Sequence, residues 1–233
     1  MTHNLELMTN LPYKLLIFDW DGTLMDSETR IVNCLRAACV ENGFAAQSDE
    51  QLKDVIGLGL KEALMRLHPD ENETIIEKLA DTYRQQYLET NETHSALFPG
   101  VENLLAELEN QGYWLAVATG KGRQGLDMSL EETQLHGRFH VTRCASETLS
   151  KPHPRMLEEI LHFTGLNAED ALMIGDTEYD MEMARNANMH ALAVSYGVHA
   201  VDRLLKHNPV GCLHDITELP DYLNKLHQEY NNG

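Results

Sequence analysis

Hydrophobic positions along this chain follow two rhythms. Short, mostly apolar runs recur at Leu15–Asp19, Tyr113–Thr119, Phe139–Cys144, Ala171–Asp176, Ala191–Ser195 and, more weakly, Val210–Leu213. Turn residues precede most of them: Gln111-Gly112 the second, Asn167 the fourth, and Asn186 to Asn188 the fifth. Runs of this length between turn signals predict buried strands. A helix-like stretch follows each. Strand alternating with helix predicts an α/β fold, a Rossmann-like parallel sheet with helices on both faces.

The second rhythm fills the gap between the first two runs. From about Asp26 to Leu97 no strand is expected. Apolar residues instead repeat at helical spacing, as Ile31, Leu35 and Ala38, then Leu60, Leu64 and Leu67, then Ile76, Leu79, Tyr83 and Tyr87. They predict helices over Glu28–Glu41, Asp49–Val55, Leu60–Leu67 and Glu73–Tyr87. Phe98-Pro99-Gly100 is a stiff turn that brings the chain back. The expected organisation is a core of residues 1–25 and 97–233 with a small all-helical domain, residues 26–96, inserted after the first strand. Such an insert would sit above that strand's carboxyl end, where open α/β sheets bind ligands.

Composition narrows the partners. The 233 residues are 42% hydrophobic, enough for one large domain with a smaller insert. Eighteen basic residues against 37 acidic ones give a net charge of −19. Nucleic-acid phosphates and anionic membranes would be repelled, so neither is an expected partner. Cys34, Cys39, Cys144 and Cys212 form no Cys-x-x-Cys pair, and reduced cytosolic thiols are the simplest reading. Twelve scattered histidines suggest no shared zinc site. Met1 to Pro12 is polar and unlike a secretory leader, and no apolar run approaches the length of a membrane span. A cytoplasmic protein is expected, with its oligomeric state open.

Four short motifs carry the candidate chemistry. In Asp19-Trp20-Asp21-Gly22-Thr23-Leu24, residues two apart share one face of a strand, so Asp19 and Asp21 can converge at its end while Trp20 points away. Converging carboxylates repel, and a cation offsets the repulsion. In Leu172-Met173-Ile174-Gly175-Asp176-Thr177-Glu178-Tyr179-Asp180, Asp176 repeats the strand-end position of Asp19. Asp180 falls in the first turn of the next helix, Tyr179–Ala187, where an acid is also a good cap. Strand-end carboxylates on one sheet edge fit a hard, oxygen-ligated cation, and Mg²⁺ is the expectation. In Val117-Ala118-Thr119-Gly120-Lys121, a hydroxyl and a free N–H at a helix start make a phosphate cradle. In Ser150-Lys151-Pro152-His153-Pro154, prolines stiffen a loop around Lys151, which could pair with both a phosphate and a carboxylate. Each motif alone has a plain structural reading as a turn, a cap or a surface lysine.

Together and in this order, the four motifs resemble those of the haloacid dehalogenase superfamily of aspartyl-phosphate-forming hydrolases. The resemblance covers nearly the whole chain, with the helical insert similar to that family's small cap, and within the family it is greatest to phosphoglycolate-phosphatase-like proteins. It implies Asp19 as nucleophile and Asp21 as general acid, then base. Asp19, the backbone carbonyl of Asp21 and Asp176 would ligate Mg²⁺, with Asp180 an outer ligand or support. Thr119 and the Gly120 N–H would hold phosphate oxygens, and Lys151 would screen Asp19 from a phosphate dianion. The implied partner is a small phosphorylated metabolite. Gly120 departs from the family, since many relatives carry Asn there; the backbone donor survives and a side-chain contact is lost. Val55-Ile56-Gly57-Leu58-Gly59 resembles the cap loop that faces the active site. Gly57 there would let backbone approach the ligand, and Lys121 and Arg123 are further candidates that could meet an anionic leaving group.

Three other readings compete. Gly120-Lys121-Gly122-Arg123-Gln124-Gly125 is formally a dinucleotide-binding fingerprint, but it leaves Asp19, Asp21 and Asp176 without a role. A phospho-acceptor signalling module would use similar residues, yet it needs no cap and no second Asp. A phosphomutase would share the acyl phosphate and shield it from water.

Overall fold

The computed structural model describes residues 12–232; the expectation for the leading segment lies outside the described residues. In chain order the elements are β1 (Leu15–Phe18), β2 (Met25–Asp26), α1 (Glu28–Glu41), α2 (Asp49–Asp54), α3 (Leu60–Leu67), α4 (Glu73–Gln85), β3 (Ala96–Leu97), α5 (Val101–Asn110), β4 (Trp114–Thr119), α6 (Arg123–Glu132), β5 (Val141–Cys144), α7 (Arg155–Thr164), β6 (Ala171–Gly175), α8 (Glu178–Asn186), β7 (His190–Val194), α9 (Val201–Leu205), β8 (Gly211–Leu213) and α10 (Leu219–Asn232). Six of the strands form a sheet in the order β5-β4-β1-β6-β7-β8, with every neighbouring pair parallel.

The apolar runs mark these strands because both faces of the sheet are covered. All four residues of β1 are fully buried. Leu16 and Phe18 pack on one face with Leu104, Leu105 and Leu108 of α5 and Leu219 and Leu223 of α10. Leu15 and Ile17 pack on the other with Met156, Leu157 and Ile160 of α7 and Met181 and Met183 of α8. β1 lies between β4 and β6, in register from Leu15 opposite Trp114 and Ala171. The carboxyl ends of three adjacent strands therefore meet on one edge of the sheet.

The helices between β2 and β3 have a core of their own, with Leu35, Leu52, Leu64 and Leu79 at its centre. Two features differ from the sequence reading. β2 and β3 pair as an antiparallel ribbon, Met25 opposite Leu97 and Asp26 opposite Ala96, where no strand was expected. Two-residue strands are too short to leave a period-2 pattern. The last predicted helix ends at Gln85, and a π-helical turn, Gln86–Thr90, carries Tyr87 into the core. All four cysteines are free. Among the described residues, no helix is long and apolar enough to cross a membrane.

Candidate active site

The backbone N–H of Asp19 donates to the Ile174 carbonyl at 2.9 Å, the last tie before the chain leaves the sheet. Trp20 is fully buried on the far side of the turn, its indole N–H 3.3 Å from the Met25 sulfur. Gly22 follows with φ at +82°. A Cβ on Gly22 would stand 2.2 Å from the Asp176 carboxylate, so both conformation and space require glycine. This turn lets β1 and β6 bring their terminal acids together.

Asp19, Asp176 and Asp180 form a buried cluster in which one carboxylate oxygen from each lies within 4.8 Å of the others. Asp176 accepts from the Thr23 hydroxyl and from the Val198 N–H, both at 2.8 Å. Asp180 accepts from the Thr177 N–H at 3.0 Å and hydroxyl at 2.7 Å, which caps α8. Its other oxygen lies 2.6 Å from the Lys151 ammonium, which also meets Asp19 Oδ1 at 2.8 Å. Asp180 thus serves as helix cap and as part of the cluster. Asp19 Oδ1 also accepts the Trp20 N–H at 2.7 Å. Asp19 Oδ2 is buried with no protein partner.

One buried ammonium faces three carboxylates. Burial lifts Asp19 well above the usual carboxylate range; Lys151 opposes the shift, and Asp180 and Asp176 add to it. Burial and then Asp180 lift Asp176 to about 7. Burial disfavours the charge on Lys151, but Asp180 and Asp19 outweigh it and hold the ammonium protonated. Excess negative charge, an all-oxygen donor set and an orphaned Asp19 Oδ2 fit a hard divalent cation.

The Asp21 carboxylate stands apart from this cluster. It accepts from the Ser27 hydroxyl at 2.6 Å and lies 3.0 Å from the Lys121 ammonium. Asp19, Asp21, Thr119 and Gly120 all reach the wall of one cavity of about 570 Å³ between the sheet edge and the inserted helices. Gly57, Lys121 and Arg123 reach the same wall. Lys151, Asp176 and Asp180 are fully enclosed and do not. Thr119 ends β4 and is fully buried, its hydroxyl accepting the Lys121 N–H at 3.1 Å. A Cβ on Gly120 would come within 2.4 Å of the Leu58 carbonyl and 2.5 Å of the Gly57 carbonyl. The loop of the insert therefore rests its backbone on the glycine that follows Thr119.

A family model described as haloacid dehalogenase-like hydrolase matches residues 16–194. The chain belongs to this family. Among its relatives, "Probable phosphatase IndB" of Dickeya dadantii is 33% identical over 201 residues, covering 84% of this chain and 86% of that one. A phosphoglycolate phosphatase of Aliivibrio fischeri is 32% identical over 193 residues, covering 79% and 85%. The crystal structure of a hydrolase from Pseudomonas syringae has a TM-score of 0.84 at 22% identity, covering 92% and 99%, and shares the fold.

Several residues of this hydrolase's site escaped the sequence reading. Thr23 stands inside the first motif and holds Asp176, but a threonine after glycine looks like turn filler. Ser27 precedes α1 as a cap would; it makes no cap bond, and its hydroxyl goes to Asp21. Four of the ties that fasten the insert to the rest of the chain are long-range hydrogen bonds: the Gly59 N–H donates to Ser150 Oγ at 2.7 Å, the Tyr179 hydroxyl to the Asp54 carbonyl at 2.7 Å, Arg203 to the Asp54 carboxylate at 2.7 Å, and Lys121 to the Tyr87 hydroxyl at 2.8 Å. No local signal links residues so far apart in the chain. His136 and His140 stand four apart, but in turns rather than on a helix, and His140 Nδ1 accepts from the Leu115 N–H at 3.2 Å.

Proposed function

We propose that this hydrolase is a Mg²⁺-dependent phosphatase that cleaves a small phosphate monoester through an aspartyl phosphate. The observation that carries the proposal is Asp19, a residue of the cavity wall that pairs with Lys151, clusters with two further carboxylates and keeps its buried Oδ2 without a partner. The relatives named phosphatases support the same reaction class. The setting is the cytoplasm, where four free thiols stay reduced.

The proposed chemistry runs in two displacements. Asp19 attacks phosphorus while the bond from phosphorus to the alcohol oxygen breaks, and Asp21 gives that oxygen a proton. Asp21, now ionised, takes a proton from water. The water oxygen attacks phosphorus, the bond to Asp19 breaks, and inorganic phosphate leaves. Lys121 and Ser27 hold the Asp21 carboxyl in position throughout. The Thr119 hydroxyl and the Gly120 N–H bind non-bridging oxygens. Lys151 cancels part of the repulsion between Asp19 and the phosphate dianion. Asp19, Asp176 and the Asp21 carbonyl would hold Mg²⁺, with Asp180 in support; when bound, the ion neutralises carboxylate and phosphate charge together.

A screen of small phosphate esters tests the reading, with Mg²⁺-dependent phosphate release as the expected result. Transfer of the phosphoryl group to a second position of the substrate, without release, would instead mark a mutase.

Metal removal has a signed consequence for stability. In the metal-free protein Asp176 titrates at about 7, against about 3.9 for an unfolded aspartate. Its contribution to stability is full below the unfolded value and is lost as pH rises through about 7. The melting temperature of EDTA-treated protein should fall between about pH 4 and pH 7 and level off above, and Mg²⁺ should restore most of the loss at the upper end. A melting temperature that ignores both pH and Mg²⁺ would contradict the site.

Gly120→Ala tests the loop. The added methyl would collide with two backbone carbonyls and push the insert off the phosphate end. A shift of about 1 Å there should cost about 100-fold in kcat/KM, with a stability loss of about 1–3 kcal/mol from the overpacked contact. Unchanged kinetics would show that the loop need not rest on Gly120.

A further inference from the structure

The cavity beside Asp19 and Asp21 holds about 570 Å³. That lies within the range of pockets built for drug-sized molecules and exceeds what a two-carbon acid phosphate fills. Away from the aspartates its wall is largely apolar, with Ile31, Leu35, Val55, Tyr83, Tyr87 and Leu88. Tyr83 and Tyr87 stack with ring centroids 5.9 Å apart and planes at 22°.

A carboxylate in the leaving group would need a cation here. Four cations reach the wall, and each already has an acid partner. Lys61 pairs with Glu77, Arg84 with Asp81 at 2.6 Å, and Lys121 with Asp21 at 3.0 Å; while Asp21 carries the proton that it gives to the alcohol, Lys121 keeps its bond to the Tyr87 hydroxyl at 2.8 Å and lies 4.3 Å from the centre of that ring. Arg123 pairs with Glu147 at 2.8 Å and with Asp127 at 3.1 Å. Arg30 stacks on the Tyr87 ring and donates to its carbonyl, and it is not on the wall. Glu62 adds another acid to the wall, and Gly120 offers no side-chain donor. A buried carboxylate without a partner is costly, whereas an apolar ring gains burial and aromatic contact.

We infer that the alcohol half of the substrate is uncharged and carries a flat apolar group, and is not a small carboxylate. The inference rests on the phosphatase reading above. It is tested with matched esters of similar leaving-group chemistry: kcat/KM is measured with Mg²⁺ for benzyl phosphate, 4-carboxybenzyl phosphate and 2-phosphoglycolate. Benzyl phosphate should exceed its carboxylated counterpart by about 30-fold or more, and should exceed 2-phosphoglycolate. Equal or faster turnover of the carboxylated ester, or 2-phosphoglycolate as the best of the three, would overturn the inference and leave the phosphatase reading standing. Phosphate release from none of the three would overturn both. Leu88→Arg, at a half-buried wall position, should narrow the ratio of the two benzyl esters by about tenfold or more. An unchanged ratio in that folded variant would show that the alcohol does not occupy this chamber.

Discussion

Asp19→Asn is expected to lower kcat by about four to six orders of magnitude, as removal of an attacking nucleophile does, while leaving the fold as stable as before or more so without metal. The two effects separate because they have different causes. Turnover needs the carboxylate of Asp19, which lines the cavity and keeps Oδ2 without a protein partner. The fold does not need its charge, which burial disfavours and which Asp180 and Asp176 repel. An amide keeps the shape and removes one of three clustered carboxylates. Initial rates and melting curves in EDTA measure the two sides. A rate within tenfold of wild type would show that Asp19 is not the nucleophile.

Lys151→Met should damage both activity and stability. The ammonium is fully buried, 2.8 Å from Asp19 and 2.6 Å from Asp180. Removing one partner of a buried ionic group leaves the others uncompensated and costs about 3–5 kcal/mol. The same change removes positive charge from the attacking carboxylate, worth about 10³-fold or more in kcat. Urea unfolding and steady-state kinetics check the two losses. Mg²⁺ should recover part of the stability by neutralising the same acids, but not the rate. A variant as stable as wild type without metal would mean that Lys151 does not compensate the cluster.

The contrast between these variants follows from which parts of the molecule the sequence encodes locally. The buried strands were legible because a strand covered on both faces must be apolar at every position, as Leu15 to Phe18 are. The three strand-end residues Asp19, Thr119 and Asp176 were legible as interruptions of such runs. Asp180 was ambiguous for a physical reason: the carboxylate that caps α8 is the one that meets Lys151. Ser27 went unnoticed for a related reason, standing in a cap position while bonding to Asp21. The β2–β3 ribbon left no pattern, being two residues per strand. The ties from Asp54 to Tyr179 and Arg203 join residues more than a hundred positions apart, where neither period nor spacing gives a signal. Gly120 was read as a lost side-chain contact. Its role in the fold emerges only with the Gly57 and Leu58 carbonyls resting against it.

The central claim is that a phosphoryl group rests covalently on Asp19 during each turnover. Rapid mixing with a turned-over ester and Mg²⁺, quenching within one turnover, borohydride reduction and peptide mass spectrometry test it directly. An aspartyl phosphate is reduced to homoserine, so the peptide containing Trp20 should carry homoserine at position 19 and nowhere else. Homoserine at another aspartate, or unmodified Asp19 in an enzyme caught during turnover, would contradict the account.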